Sequence, residues 1–172
     1  TRGAPATATG RAKEPFEGPL KGKHSTIFRS MAARPAALDV YLGMSGALAR
    51  GELSAKEREV IQLAVGQATN CDYCIAAHTA IGKGAGLTEA QTIEARRGTL
   101  SDPKLDALAK FALKGHEKRG FVSDADLATF KGAGYSDAHV AEAIANYALA
   151  LYTNYFNHVN DTTSDFPAPP AI

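Results

Sequence analysis

The sequence predicts an all-α protein, and three observations carry that prediction. Ala and Gly are abundant while β-branched residues are scattered, and no alternating apolar and polar run of the kind that forms strands stands out. Helix-capping patterns recur along the chain, each followed by apolar residues at helical spacing. With 45% hydrophobic residues in a chain of 172, one domain with a core of its own is expected.

Charge and hydropathy argue against several classes of function. The formal net charge is +1 and the few Lys/Arg clusters look like solvated faces, so nucleic acid is not an expected partner. No apolar run approaches the length of a membrane span, and no signal peptide is recognisable, so no membrane association is expected. The two cysteines are too close in the chain for a secreted disulfide framework, which favours a reducing, cytoplasmic location.

The beginning of the chain is predicted to form an N-terminal arm over residues 1–24. Its first 13 residues are rich in Ala, Thr, Gly and Arg and contain no acidic residue. A short helix is expected over residues 25–34. Pro35 can occupy the first position of a second helix, which ends near Gly51. The helical domain is therefore expected to begin at residue 25.

A capping box formed by Ser54 and Glu57 predicts the start of the third helix. Its main apolar face carries Val60, Ile61, Ala64, Val65 and Ala68. Glu59 lies outside that face, on a second row with Leu63 that is expected to contact a neighbouring helix. The helix is expected to end near Gln67, and a short turn then leads to the next one.

The fourth predicted helix holds the only two cysteines, Cys71 and Cys74, together with His78. Asn70 is the expected N-cap, and Gly84 supplies a stop signal. At about 100° per residue the two thiols and the imidazole fall within an arc of about 60°. They therefore point inward together. Cys71 would lie in the first turn, where free N–H groups and the helix dipole stabilise a thiolate.

Glu59 is expected to reach His78. If the third helix ends near Gln67, Glu59 lies eight residues before that end, while His78 lies seven residues after Cys71. In an antiparallel pair of helices these two side chains come level, so a carboxylate–imidazole contact is predicted. A carboxylate at this place would orient and charge-balance the imidazole.

The second half of the chain is predicted to contain four more helices, each opened by a capping residue. They run from Thr88 to Gly98, from Asp102 to about Gly120, from Ser123 or Asp124 to Gly132, and from Ser136 onward. The long last helix is expected to carry core residues at Val140, Ile144, Tyr147, Ala148, Leu151 and Tyr155. Its aromatic residues cover more than one side, which favours self-association. The helical domain then covers residues 25–161, and an extended tail follows over residues 162–172.

An internal repeat with an offset of 48 residues is present. The segment Lys83–Ala90 reappears in similar form as Lys131–Ala138. Coincidence in a Gly- and Ala-rich chain is one explanation, but duplication of a helical unit accounts for more of the pattern. The positions that correspond to the two cysteines and the histidine hold Arg119, Val122 and Asp126. The first copy is therefore predicted to carry the chemistry.

Three interpretations fit the side chains of Glu59, Cys71, Cys74 and His78. Zinc could use all four as ligands, but structural zinc cysteines usually lie in a tight knuckle rather than on a continuous helix. Two buried structural cysteines with a core histidine are the second interpretation. A dithiol/disulfide redox site is favoured, because thiols one turn apart can close a disulfide and His78 can take a proton from Cys74. Neither a metal nor another cofactor is expected.

The spacing of Glu59, eleven residues, Cys71, two residues, Cys74, three residues and His78 resembles the alkylhydroperoxidase D (AhpD-like) branch of the carboxymuconolactone decarboxylase superfamily. The resemblance extends more loosely over about residues 27–161. It implies an AhpD-like helical bundle with an internally duplicated unit, and homo-oligomers such as dimers, trimers or hexamers. It also implies an alkylhydroperoxidase-type oxidoreductase that reduces hydroperoxides through its CxxC pair and depends on an external dithiol reductant.

The resemblance further implies a role for each residue. Cys74 is the thiolate that attacks the peroxide, Cys71 resolves the sulfenic acid and meets the reductant, and Glu59 and His78 form the proton relay. Some members have a histidine just before the second cysteine, where this chain has Tyr73. From the residues alone the order of attack stays open, because the helix dipole favours Cys71 and the histidine favours Cys74.

Two other functions stay open from the sequence. One is a carboxymuconolactone decarboxylase-like lyase, although that activity does not rely on a cysteine pair. The other is a non-catalytic oligomeric module that senses redox state through reversible disulfide formation.

Overall fold

The computed structural model describes residues 17–18, 21 and 25–172. These residues form eight α-helices and no strand, so the predicted fold class is confirmed. The helices are α1 (Thr26–Met31), α2 (Pro35–Leu48), α3 (Ala55–Ala68), α4 (Asp72–Gly84), α5 (Glu89–Arg97), α6 (Pro103–Glu117), α7 (Asp124–Gly132) and α8 (Asp137–Asn160). Most of the predicted N-terminal arm, residues 1–24, lies outside the described residues. In the part of the chain that is described, no helix combines the length and apolarity that a membrane span requires.

Capping side chains set the starts of five helices at the predicted residues. Ser54, Thr88, Asp102, Ser123 and Ser136 each accept a hydrogen bond from a backbone N–H in the first turn of the helix that follows. A side-chain cap of this kind typically stabilises a helix by about 1 kcal/mol. The boundaries of these helices therefore follow from local sequence.

The start of α4 differs from the prediction. Asn70, the expected N-cap, instead has a left-handed backbone with φ 55°, a conformation that asparagine tolerates better than most residues. Cys71 is the N-cap, and its sulfur accepts a hydrogen bond from the backbone N–H of Cys74 at 3.3 Å. The turn between α3 and α4 thus places one cysteine sulfur directly at the N-terminus of α4.

Helix α3 lies at the centre of the fold and is buried on nearly all sides. Ile61 and Val65 pack in one apolar cluster with α6, α7 and α8, whereas Val60 and Leu63 pack in a second cluster with α5 and α6. A helix that is apolar around most of its circumference is expected to be enclosed by others. Glu59 is therefore carried on one of the most firmly packed elements of the protein.

A third apolar cluster surrounds the cysteines. It joins Ile27 and Met31 of α1 and Leu38 of α2 to Cys71 and Cys74, and the aromatic residues Tyr73, Tyr152, Phe156 and Phe166 also belong to it. Because the cluster draws on α1, α2, α4, α8 and the C-terminal tail, the cysteine pair lies where five separate parts of the chain meet.

The internal repeat is visible in the positions of the helices. The first residues of α3 and α6 are 48 positions apart, as are the last residues of α4 and α7 and the first residues of α5 and α8. Gly86 and Gly134, also 48 positions apart, both have φ 97°. The helical unit α3–α5 is thus repeated as α6–α8.

The inward face of α8 differs from the predicted one. Ile144 and Tyr155 are 56% and 51% exposed, although both were expected in the core. The buried residues of this helix include Asn146, Asn154 and Asn157. Val140, Tyr147 and Leu151 of the predicted face do pack, partly buried, against the core. Hydrophobic periodicity therefore located the inward face only in part, because that face also carries three asparagines.

Candidate active site

Cys71 and Cys74 are joined by a disulfide at the start of α4. Their Cα atoms are 5.2 Å apart, within the usual range for bonded cysteines. Only 1% of Cys71 and 2% of Cys74 is exposed. The two thiols that the sequence places one helical turn apart therefore form a closed, buried pair.

Glu59 and His78 are in contact between α3 and α4. Oε2 of Glu59 lies 2.7 Å from Nδ1 of His78, and their side chains are 14% and 19% exposed. The two helices approach closely at Gly82, where a Cβ atom would lie 3.6 Å from Cβ of Glu59 and 3.0 Å from Leu87. A carboxylate accepts hydrogen bonds, so Nδ1 is the donor and Nε2 of the neutral imidazole is left as an acceptor.

A cavity of about 360 Å³ brings the site residues together. The described residues that line it include Cys74, Glu59 and His78, but not Cys71. Much of the remaining wall is apolar and includes the aromatic side chains of Phe28, Tyr41, Tyr73 and Phe166. This arrangement favours Cys74 as the sulfur that meets a small molecule.

Asn157 is a site residue that the sequence analysis did not identify. Its Nδ2 lies 3.3 Å from Sγ of Cys74 and 4.0 Å from Sγ of Cys71. The side chain reaches the disulfide from the last turns of α8 and is 4% exposed. The helical spacing of Asn146, Ala150 and Asn157, which share the buried face, is a signal in the sequence that could have revealed it.

Tyr73, which precedes Cys74, anchors the C-terminal tail. Its hydroxyl donates to Oδ2 of Asp165 at 2.9 Å, and its ring packs edge-on against Phe166 with 5.8 Å between ring centres. Burial, together with the hydrogen bond to Asp165 and its negative charge, raises the pKa of Tyr73 well above the ordinary value for tyrosine. The hydroxyl and the ring of Tyr73 together hold the tail against α4 beside the site.

Asp165 also holds the N-terminus of α1. Its carboxylate accepts hydrogen bonds from the backbone N–H of Thr26 at 2.6 Å and from the hydroxyl of Thr26 at 2.7 Å. Burial would raise the pKa of Asp165, but the hydrogen bonds from Thr26 and Tyr73 and the charge of Arg29 hold it below its ordinary value. A carboxylate at a helix N-terminus is also favoured by the helix dipole. Asp165 thus clamps the tail, α1 and α4 together beside the cavity.

Within the described ranges, no three His, Cys, Asp or Glu side chains are grouped so that they could hold a metal ion.

Comparison with known proteins gives one family match. Residues 35–114 match the model of the carboxymuconolactone decarboxylase family. Among curated proteins, none matches the sequence of this chain. The matched segment contains α2 to α5 and most of α6, and it includes all four predicted site residues. This match supports the resemblance to the carboxymuconolactone decarboxylase superfamily that the CxxC pattern indicated.

Several solved structures share the fold. A peroxidase-related protein from Silicibacter sp. TM1040 superposes with a TM-score of 0.80 at 18% identity, covering 93% of this chain and 87% of its own. A peroxidase-related protein from Ralstonia eutropha JMP134, described as an alkylhydroperoxidase AhpD core, gives 0.81 at 20% identity, with 92% and 90% covered. The debrominase Bmp8, as a Cys-to-Ala variant in complex with 2,3,4-tribromopyrrole, gives 0.76 at 16% identity, with 92% and 90% covered. At these identities the likeness establishes the fold.

Proposed function

We propose that this chain, which matches the carboxymuconolactone decarboxylase family over residues 35–114 and shares the fold of AhpD-like peroxidase-related proteins, is a thiol-dependent peroxidase that reduces organic hydroperoxides. The observation that carries the proposal is the lining of the cavity. One cysteine of a disulfide-forming pair, Cys74, opens on the same space as an imidazole whose Nδ1 is held by a carboxylate. A nucleophile, a base and a group that orients the base are the parts that activated thiol chemistry requires.

The first step uses the reduced dithiol. Cys74 gives its proton to Nε2 of His78, while Glu59 holds Nδ1. The thiolate attacks the distal oxygen of the hydroperoxide and the O–O bond breaks. The alkoxide that leaves takes the proton from His78 and departs as an alcohol. Cys74 is oxidised to a sulfenic acid, the first level of cysteine oxidation.

The second step closes the disulfide. The Cys71 sulfur attacks the Cys74 sulfenic sulfur, and the hydroxyl leaves as water with the proton of the Cys71 thiol. Two thiols have then supplied two electrons to one peroxide, and the product is the disulfide seen between these residues. Because the partner sulfur is already within one helical turn, this step is intramolecular and fast relative to overoxidation.

The cycle is completed by an external dithiol, which reduces the disulfide by thiol exchange. Cys74 lines the cavity, so a small dithiol that enters by the cavity reaches that sulfur. Cys71 is packed among side chains of α1 and α2, so an attack on Cys71 requires those helices to move. The structure of the site thus favours reduction through Cys74, which differs from the role that the family resemblance implies for Cys71.

A second candidate function is the reductive removal of halogen from a small halogenated heteroarene. The aromatic walls of the cavity favour a flat ring, and a neighbour of the same fold is a debrominase in complex with 2,3,4-tribromopyrrole. As in peroxide reduction, the two thiols supply two electrons. An aryl bromide and two thiols give the arene, bromide, one proton and the disulfide.

We further propose that the chain forms homo-oligomers. The outer face of α8 leaves Ile144, Tyr155 and Val159 at least half exposed, and Phe121 is 83% exposed. A second cavity of about 460 Å³ adjoins this face and is lined partly by Tyr147, Leu151 and Tyr155. Exposed apolar surface of this kind is typical of a contact between protein chains.

A turnover assay tests the proposed function and separates the two candidates. Purified protein with excess dithiothreitol is supplied with cumene hydroperoxide, hydrogen peroxide or 2,3,4-tribromopyrrole, and loss of each oxidant is followed. The peroxidase proposal expects turnover of cumene hydroperoxide that is abolished in Cys74→Ser. Turnover of tribromopyrrole alone supports the second candidate, and turnover of none leaves the redox-sensing module as the surviving interpretation.

A further inference from the structure

The two cysteine sulfurs are served by different hydrogen-bond donors. Sγ of Cys71 accepts the backbone N–H of Cys74 at 3.3 Å, as the N-cap of α4. Sγ of Cys74 instead faces Nδ2 of Asn157, also at 3.3 Å, while the same nitrogen is 4.0 Å from Sγ of Cys71. The helix terminus therefore favours a thiolate at Cys71, and the asparagine side chain favours one at Cys74.

The amide of Asn157 is also incompletely satisfied. Its Oδ1 is buried and has no hydrogen-bond partner in the described part of the chain. A buried polar atom without a partner destabilises the folded protein, so this oxygen calls for a specific explanation. Asn157 lines the same cavity as Cys74 and His78. The orphaned oxygen thus lies on a residue that forms part of the wall against which a substrate would lie.

We infer that Asn157 is a catalytic residue, which stabilises the Cys74 thiolate through Nδ2 and receives the O–H of the substrate through Oδ1. This inference rests on the proposed peroxidase function. A hydroperoxide carries its hydrogen on the distal oxygen, the atom that the thiolate attacks. A hydrogen bond from that O–H to Oδ1 places the distal oxygen beside Sγ of Cys74. When the S–O bond forms and the O–O bond breaks, the same hydrogen remains on the sulfenic acid, and the alkoxide takes the proton from His78.

The hydrogen bond from Asn157 also favours Cys74 as the attacking cysteine. The dipole of α4 and the N-cap hydrogen bond favour ionisation of Cys71, but this sulfur is packed against α1 and α2. A hydrogen bond to an anionic sulfur is stronger than one to a neutral thiol, so the donor at Cys74 acts mainly after ionisation. Asn157 thus offsets the preference of the helix terminus at the sulfur that faces the cavity.

Alkylation provides a test that needs no peroxide. In a Cys71→Ser background, Cys74 is reacted with iodoacetamide over a range of pH. The pH at which the rate is half-maximal gives the pKa of the Cys74 thiol. Loss of the hydrogen bond in Asn157→Ala should move that midpoint upward by about one pH unit, because a hydrogen bond to a charged group is worth about 1.5 kcal/mol or more. Asn157→Asp retains the shape of the side chain and adds a negative charge, so its midpoint should move further upward.

Asn154→Ala is the matched control. Asn154 is buried on the same helix and also has an orphaned Oδ1, but its Nδ2 donates to Thr69 at 2.8 Å rather than to a sulfur. The control should leave the alkylation midpoint unchanged. The inference is overturned if Asn157→Asp, folded as judged by circular dichroism, has the midpoint of its parent, or if Asn154→Ala produces the same shift as Asn157→Ala.

Peroxide kinetics then separate this inference from the proposed function. With Cys71 present, the Asn157→Ala variant should reduce cumene hydroperoxide about tenfold more slowly near neutral pH than the parent protein. This loss of rate should persist when the pH is raised above the alkylation midpoint of the variant, because the contact to the substrate O–H is also gone. Full recovery of the rate at high pH contradicts the role of Oδ1. A shifted alkylation midpoint in a protein that consumes no peroxide refutes the peroxidase function while preserving the thiolate contact.

Discussion

Glu59 and His78 are 19 residues apart in the chain and meet through a 2.7 Å contact between Oε2 and Nδ1. Each is carried on a different helix, α3 for the carboxylate and α4 for the imidazole, and both side chains are mostly buried. The contact fixes the tautomer of the ring and directs Nε2 toward a proton from the cavity side.

Glu59→Gln should slow disulfide formation by hydroperoxide about 10- to 100-fold. The substitution keeps the size of the side chain and most of its hydrogen bonding but removes the negative charge that balances a protonated imidazole. Stopped-flow measurement of thiol loss checks this. Glu89→Gln, which removes a carboxylate from the exposed ion pair with Lys83, is the matched control and should react at the parent rate. An unchanged rate in Glu59→Gln would reduce Glu59 to a packing residue.

His78→Ala should slow the same reaction more, by about 10²–10⁴-fold, because it removes the base itself. The double variant with Glu59→Gln should be little slower than His78→Ala alone, since the carboxylate acts through the imidazole and their effects are not additive. The exposed His158 provides the control substitution. Additive losses in the double variant would show that Glu59 acts independently of His78.

Asp165→Asn should weaken the clamp between the tail and α1. The pKa of Asp165 is lower in the folded chain than in the unfolded one, so its contribution to stability is complete above about pH 4 and is lost as the pH falls through the folded value. The expected loss near neutral pH is about 1 kcal/mol or less, because the residue is largely exposed. Denaturant titrations at several pH values check this.

The wild-type protein and the Asp165→Asn variant should converge in stability at low pH, because the carboxyl of Asp165 is then protonated and uncharged. Faster hydrogen exchange confined to α1 in Asp165→Asn would accompany the loss. A constant stability difference across the whole pH range would contradict the assignment to this carboxylate.

The chain should associate in solution through the outer face of α8. Light scattering at micromolar concentration should give a mass that is a multiple of 18.0 kDa. Ile144→Lys should shift the protein toward the monomer, because a charge would then be buried in the contact. Val40→Lys, at a position on α2 that is also about half exposed, should leave the mass unchanged. A monomer in the wild-type protein refutes the proposal.

Much of this structure could be predicted because it is encoded locally. Capping residues such as Ser54 and Ser136 satisfy backbone groups within one turn, so they mark helix starts without any knowledge of the fold. The contact of Glu59 with His78 also followed from local information, since a short turn between two helices fixes their register. These predictions depend on few residues and short distances along the chain.

The features that were missed depend on distant parts of the chain or on competing local signals. Tyr73 and Asp165 are 92 residues apart, and nothing near either one predicts that they pair. Asn157 lies on a face of α8 that looks polar in sequence but is buried because it meets the disulfide. Asn70 was expected as the N-cap, yet its left-handed backbone completes the turn and leaves the cap to Cys71.

The central claim is that one hydroperoxide consumes both thiols of one chain, and an anaerobic thiol titration tests it most directly. Fully reduced protein has two thiols, from Cys71 and Cys74, and is mixed with one equivalent of cumene hydroperoxide. We expect both thiols to disappear, one equivalent of alcohol to form, and mass spectrometry to show an intramolecular disulfide. Retention of both thiols, or a sulfinic acid at Cys74 without a disulfide, would contradict the two-cysteine cycle.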